Sequence, residues 1–194
     1  MLTGKELADL VQKQVGQAYV WGGLGYKLTE ARLTQLKNIY PKVYTDAYLA
    51  KARRNLGKNA FDCVGLLKYF KWGNRGDSSS QFKYDAATDF TANAEFKTCT
   101  QTGKITDMPN EPGLMVWQSG HCGVHIGDGK IVEARGIDYG VVQTTVNTRN
   151  FTHYGRLPWI NYYADPVPEQ PTNEISWAEA AEILKAAGIT KINL

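Results

Sequence analysis

At 194 residues with 43% apolar content, the chain suits one globular domain over 1–163 followed by a short appendage. A formal net charge of +3 is too weak to imply nucleic-acid binding, though it is compatible with an anionic partner surface. Three cysteines without paired spacing argue against a disulfide framework, and no Cys-x-x-Cys or His-Glu-x-x-His pattern supports a metal site, so neither metal nor cofactor is expected.

The first residues lack an apolar signal core, and no stretch approaches the about 18 apolar residues of a membrane span. The expectation is a protein made in the cytoplasm, or one domain cut from a longer chain; nothing in the sequence fixes an oligomeric state.

Thr3-Gly4-Lys5-Glu6 is a capping box, and Leu7, Leu10 and Val11 share one face of the helix that follows, which Gly16 ends. Tyr19-Val20-Trp21-Gly22-Gly23 reads as a tight turn with Trp21 in the core. The segment 24–58 looks like two short helices. Thr29 caps the first, with Leu33, Leu36 and Ile39 periodic before Pro41; the second runs from about Thr45 to Gly57. Its Lys51, Arg53, Arg54 and Lys58 either face solvent or meet an anionic substrate.

Asn59 to Phe70 carries the chemistry. Asp62 is a good N-cap, and Val64, Leu67 and Tyr69/Phe70 recur at helical spacing until Trp72-Gly73. Cys63 thus falls in the first helical turn, where unpaired N–H groups and the positive end of the helix dipole stabilise a thiolate. A free thiol, with its pKa about 8.5, is mostly protonated near neutrality, so this setting matters for a nucleophile.

Beyond a polar loop over 73–81, a helix is expected over 85–95 and a strand over 96–100, with Cys99 a structural thiol. From Leu114 the period changes. Segments 114–118, 121–126, 130–135, 139–145 and 155–160 are short, β-rich and glycine-punctuated, which suggests an antiparallel sheet. His121 sits early on the first strand of a hairpin around Gly127-Asp128-Gly129. A two-residue turn would pair Val124 with Glu133 and face Glu133 away from His121. A three-residue loop with Gly129 left-handed pairs Gly123 with Glu133, putting Glu133 diagonal to His121 on one face. That register permits a nucleophile, base and orienter set of Cys63, His121 and Glu133. Cys122 then points into the core. His125, about 13 Å along the strand from His121, is either structural or substrate-side, and His153 falls in a loop without a role. Segment 164–175 is a Pro-rich linker, and 176–194 a capped helix that either docks on the domain or begins another module.

The order Tyr19-Val20-Trp21-Gly22-Gly23, Phe61-Asp62-Cys63-Val64-Gly65-Leu66, Pro112-Gly113 and Gly120-His121-Cys122-Gly123-Val124-His125-Ile126-Gly127 resembles the NlpC-type cysteine peptidases, papain-like bacterial cell-wall hydrolases. The resemblance spans about 3–163. It implies an α+β, papain-like fold with the catalytic cysteine at a helix N-terminus packed on an antiparallel sheet. By position it makes Cys63 the nucleophile, His121 the base and Glu133 the third residue, with Tyr19, Asp62 and Gly120 on the substrate side. Four departures stand out. Val64 replaces a usual serine, Leu114 an aspartate and Glu133 the commoner histidine, and the 24–58 segment is an insertion where the family has a short loop. Both ends of that insertion lie beside the active site if the resemblance holds, so it is expected to wall one side of the cleft.

The function implied is hydrolysis of an amide in bacterial peptidoglycan stem peptides, most often between D-iso-glutamyl and a diamino acid, in a protein of phage-endolysin type released at lysis or exported by other means. Three alternatives stay open: an acyl-enzyme transferase using an amine or lipid acceptor, an N-acetylmuramoyl-L-alanine amidase, and an inactive wall-binding module.

Overall fold

The computed structural model describes residues 1–74 and 82–162. Most of the polar loop expected over 73–81 lies outside them, as do the linker and helix expected over 164–175 and 176–194.

A short strand β1 (Leu2–Thr3) runs into α1 (Gly4–Gln12), whose capping box is complete: Thr3 Oγ1 accepts from the Glu6 N–H, and the Thr3 N–H donates to Glu6 at 2.7 Å. After β2 (Ala18–Tyr19) and the turn through Gly23 comes β3 (Leu24–Lys27), a strand at the start of the segment expected to hold two helices only. At four residues, with a register irregularity between Leu24 and Tyr26, it is too short to stand out as a strand period. The two helices of the insertion follow, α2 (Glu30–Ile39) and α3 (Asp46–Arg53), capped by Thr29 and Thr45. Lys51 pairs with Asp138 and Arg53 with Glu30, so two of the four basic residues serve exposed ion pairs. β4 (Asn59–Phe61) lies between β2 and β3 in a three-stranded sheet and leads into α4 (Cys63–Lys71).

The helix expected over 85–95 is replaced by a single 3₁₀ turn (Ala86–Thr88), a break at Asp89-Phe90, and α5 (Ala92–Lys97) capped by Thr91. Asp85 and Thr91 each cap their own short segment, which is why no continuous helix forms. The strand expected over 96–100 is the end of α5 and a turn, because the Thr98 and Cys99 N–H groups close back on Glu95 and Phe96. Pairing begins only at β5 (Gln101–Lys104). β6 (Met115–Gln118), β7 (His121–Gly127), β8 (Lys130–Gly136), β9 (Gly140–Thr145) and β10 (His153–Arg156) complete an antiparallel sheet in the order β5-β10-β6-β7-β8-β9. His153 therefore opens a strand. The strand expected over 155–160 is divided between β10 and β11 (Ile160–Asn161), and β11 pairs with β1.

The main core forms where α1 and α4 cover one face of this sheet. Leu7 and Val11 meet Leu66, Leu67 and Phe70 over Cys122, Val124, Val132 and Ala134. Burying each leucine or valine contributes on the order of 1.5–3 kcal/mol. The insertion has its own cluster, in which Leu33, Leu36, Tyr44 and Leu49 pack on Val20 and Ala60. At the far end of α4, buried Glu95 accepts from Lys71 at 2.9 and 3.1 Å and from the Trp159 indole at 3.0 Å, tying α4 to α5 and to the segment before β11.

The helix bearing Cys63 is seated by a glycine contact. A Cβ at Gly65 would collide with the carbonyl oxygen of Gly23, so α4 and the 21–23 turn approach as closely as only glycine allows. We expect Gly65→Ala to cost about 1–3 kcal/mol, the usual scale of overpacking. Urea unfolding checks this, and wild-type stability would show that the two elements can separate freely.

Candidate active site

Asp62 is the N-cap of α4. One carboxylate oxygen accepts from the Gly65 N–H at 2.6 Å and the other from the Gly22 N–H at 3.0 Å. Expected from the resemblance to stand on the substrate side, it turns both oxygens to the backbone and binds the turn to the helix start. Burial, reinforced by the charge of Cys63, raises its pKa to about 7.

Cys63 occupies the first helical position, half-buried, with its Sγ 3.9 Å from the Gly120 carbonyl oxygen. A hydrogen bond from the Cys122 thiol is the largest influence on it. Burial opposes ionisation, but the bond to His121 and its charge add to the lowering, and the Cys63 pKa falls to about 5. The Cys122 thiol is pushed up in turn by the same bond and by its burial. Cys122 faces the core as the strand period requires, yet it also adjoins Cys63, a contact between distant elements that sequence spacing does not reveal.

The β7–β8 hairpin sets His121 against Glu133. Asp128 and Gly129, at φ 51° and 67°, form a two-residue turn that pairs Gly127 with Lys130. A bulge at Ile126 then shifts the register, so that His125 faces Ile131 and Val124 faces Val132. The register expected from a three-residue loop is thus reached by a tighter turn plus one bulged residue. His121 Nε2 lies 2.7 Å from Glu133 Oε2, leaving Nδ1 as the ring nitrogen available to Cys63. Gly123 lies between them, and its missing side chain leaves room for the Glu133 Cβ.

Glu133 is fully buried and has more partners than the sequence suggested. Arg149 grips it with two bonds, Nε to Oε1 at 2.6 Å and the terminal nitrogen to Oε2 at 2.9 Å, and the Thr144 hydroxyl donates to Oε1 at 2.7 Å. Burial disfavours the charge, but the bonds from His121, Arg149 and Thr144 prevail and hold the pKa at about 2. Burial likewise works against a charged His121, and the bonds to Cys63 and Glu133 overcome it and raise the imidazole to about 9. Phe151 stacks on His121 with ring centroids 5.8 Å apart and also lies under the Arg149 guanidinium. Thr144 was legible in principle, because strand alternation in β9 puts it on the face of Val142, directly opposite Glu133. Arg149 and Phe151 follow β9 in irregular chain and carry no such signal.

Tyr19 packs beside Cys63, and its hydroxyl is driven far up by burial and then by the charges of Cys63 and Asp62, so it stays a proton donor. Gly120, at φ 79°, is pinned by Asn93 of α5, whose side-chain oxygen accepts from the Gly120 N–H at 2.8 Å and from the Trp117 indole at 3.1 Å. His125 is buried with Nδ1 at 2.9 Å from the Glu111 carbonyl and Nε2 accepting from the Gly129 N–H, a structural histidine of the hairpin. Cys99 is raised to about 12 by burial and then by Glu95. Trp21, expected in the core, is 48% exposed; its backbone, rather than its indole, is what the insertion holds. Among the described residues no cluster of His, Cys, Asp or Glu could hold a metal ion, and no helix is long and apolar enough to cross a membrane.

No protein-family model matches the chain, and no curated protein matches it. Among solved structures it resembles NlpC2 from Trichomonas vaginalis, at 20% identity and a TM-score of 0.48 over 79% of this chain and 46% of that one. It also resembles the peptidoglycan hydrolase RipB from Mycobacterium tuberculosis, at 16% identity and 0.45 over 82% and 67%. A third is the P60 domain of an antigen from M. avium subspecies paratuberculosis, at 18% identity and 0.45 over 82% and 98%. The chain spans less than half the length of the Trichomonas vaginalis proteins it resembles.

Two outcomes follow from the geometry. Brief iodoacetamide treatment near neutral pH should label Cys63 alone, since Cys99 and Cys122 are both held protonated; peptide mapping that finds all three labelled equally contradicts the depressed pKa. Glu133→Gln removes the charge facing His121 and weakens the imidazolium. The acid limb of Cys63 alkylation should then move upward from about 5 toward the ordinary thiol value of about 8.5; an unmoved limb makes Glu133 a bystander.

Proposed function

We propose that this chain is an NlpC-type cysteine peptidase that hydrolyses an amide bond in the stem peptide of bacterial peptidoglycan, the D-iso-glutamyl–diamino acid bond being the one its motifs imply. The observation that carries the reading is the bond of His121 to buried Glu133 at 2.7 Å, made by the same imidazole that helps lower the Cys63 thiol. A histidine raised to about 9 beside a thiol lowered to about 5 forms a thiolate–imidazolium pair at neutral pH. That pair needs no separate deprotonation step before attack.

The Cys63 thiolate attacks the amide carbonyl carbon. The developing oxyanion meets the Cys63 N–H, which has no partner inside the helix, and the Tyr19 hydroxyl is available beside it. His121 gives its proton to the leaving nitrogen, the C–N bond breaks and an amine departs, leaving a thioester. Water then loses a proton to His121 as it adds to the thioester, and the acid is released with Cys63 restored as thiolate. Glu133 holds the imidazole with Nδ1 toward sulfur and stabilises its charge without exchanging protons. Tyr19 and Gly120 border the thiol on the substrate side.

Cys63→Ala and His121→Ala should each lower cleavage of purified peptidoglycan by about 10⁴-fold or more, with the double variant little worse than either. Strong residual cleavage by Cys63→Ala excludes the thiol mechanism. For the wild type, kcat/KM should be bell-shaped in pH. It rises as Cys63 ionises near 5 and falls as His121 loses its proton near 9, since above that pH the leaving amine has no acid. A single limb near the pKa of a free thiol would contradict the ion pair. Mass spectrometry of the released fragments identifies the scissile bond, and added amine that diverts the product would favour a transferase.

A further inference from the structure

Cys122 is a buried thiol that the proposed amide chemistry leaves unused. Strand alternation in β7 puts His121 on one face of the sheet and Cys122 on the other, the face that α4 covers. There Cys122 belongs to the same packed cluster as Val64 and Leu67 of α4, and Cys63 packs against that cluster. The Cys63 Sγ is also 3.9 Å from the carbonyl oxygen of Gly120, which immediately precedes His121 and Cys122 in the chain. The two thiols therefore adjoin where the first turn of α4 meets the start of β7. The third cysteine has other neighbours: Cys99 Sγ lies 4.0 Å from the Glu95 carbonyl and packs on Gly155.

The adjoining thiols differ as oxidation chemistry requires. Cys63 is only half-buried and is the one held as thiolate, the form that attacks a peroxide. Cys122 is fully buried and held protonated, which shields it from direct attack by a dissolved oxidant. An oxidised Cys63 would lie beside it.

We propose that Cys63 and Cys122 form a peroxide-responsive thiol pair, in which Cys63 is oxidised first and Cys122 resolves it as a disulfide. In the first step the Cys63 sulfur attacks one oxygen of hydrogen peroxide. An S–O bond forms, the O–O bond breaks, and the departing hydroxide takes a proton from the His121 imidazolium to leave as water. Cys63 is then a sulfenic acid. In the second step the Cys122 sulfur attacks the sulfenic sulfur, the S–O bond breaks, and the Cys122 proton leaves with the hydroxyl as a second water. The two sulfurs have given up two electrons and one peroxide has taken them. The disulfide silences Cys63 and stops it short of the sulfinic and sulfonic acids, which thiols do not reverse. This chemistry involves sulfur alone and holds whichever amide the site accepts.

Mass spectrometry of the wild-type chain decides the matter. After brief treatment with a modest excess of hydrogen peroxide near neutral pH, the protein should weigh two hydrogen atoms less. Iodoacetamide labelling of Cys63 should be lost, and a non-reducing peptide map should show Cys63 joined to Cys122; dithiothreitol should restore the labelling. Cys122→Ser should instead give a sulfenic acid at Cys63 that dimedone traps. Without the trap it should gain further oxygen atoms, and dithiothreitol should not bring the labelling back. A wild-type protein that gains oxygen at Cys63 without linking it to Cys122 overturns the proposal, as does one that peroxide leaves unchanged. So does a disulfide formed to Cys99 or between two molecules in its place. Recovery of Cys122→Ser as complete as that of the wild type also overturns it, since something other than Cys122 would then be halting the oxidation. None of these readouts uses peptidoglycan, so a failure to cleave wall counts against the peptidase reading alone.

Discussion

The carboxylate of Glu133, wholly buried on the interior strand β8, is the constraint from which the site follows. An ionised carboxylate without partners in such a place would cost several kcal/mol. Here two bonds from Arg149, one from Thr144 and one from His121 surround it. The arrangement has a direction. Arg149 is permanently charged and Thr144 neutral, so Glu133 stays ionised whatever His121 does, and its remaining acceptor site draws the imidazole into the charged form. The thiol of Cys63 then ionises against a cation rather than against water. Each step of the proposed chemistry uses this order of proton affinities, carboxylate below thiol below imidazole.

A second constraint joins the two halves of the site. Asp62 caps α4 with one oxygen and holds Gly22 with the other, while Gly65 lets the helix approach the Gly23 carbonyl. Cys63 is thereby placed by packing between the small three-stranded sheet and the large antiparallel one. The histidine belongs to the large sheet and the cysteine to a helix on its other face, so the pair meets only because both stand at the same end of their elements. Asn93 completes the closure by fixing Gly120 over the thiol.

Much of this was legible in the chain. The Asp62 cap and the periodicity after it mark the Cys63 helix, and one of the two hairpin registers open to the sequence permits Glu133 beside His121. That register reaches the right pairing through a three-residue loop, whereas the hairpin uses a tight turn and a bulge, two solutions that a single sequence does not distinguish. Arg149, Phe151 and Asn93 were not legible, since they arrive from irregular chain or a six-residue helix with no period to extrapolate. Trp21 misled for a related reason. A tryptophan before a glycine pair in a tight turn reads as core, and only the hydroxyls of Tyr44 and Tyr48 in the insertion reveal that its backbone is the anchored part. The helix expected over 85–95 failed because two local caps, Asp85 and Thr91, divide a stretch whose composition favours one.

The protonation state of His121 tests the account most directly. Nitrogen NMR of the imidazole in the resting protein should show both ring nitrogens protonated at pH 7, with a titration near 9, and Cys63→Ala should lower that value by removing the partner thiolate. A neutral ring at pH 7, titrating near the ordinary histidine value of about 6.5 and indifferent to Cys63, would mean that no ion pair exists and that the ordering of proton affinities described above is wrong.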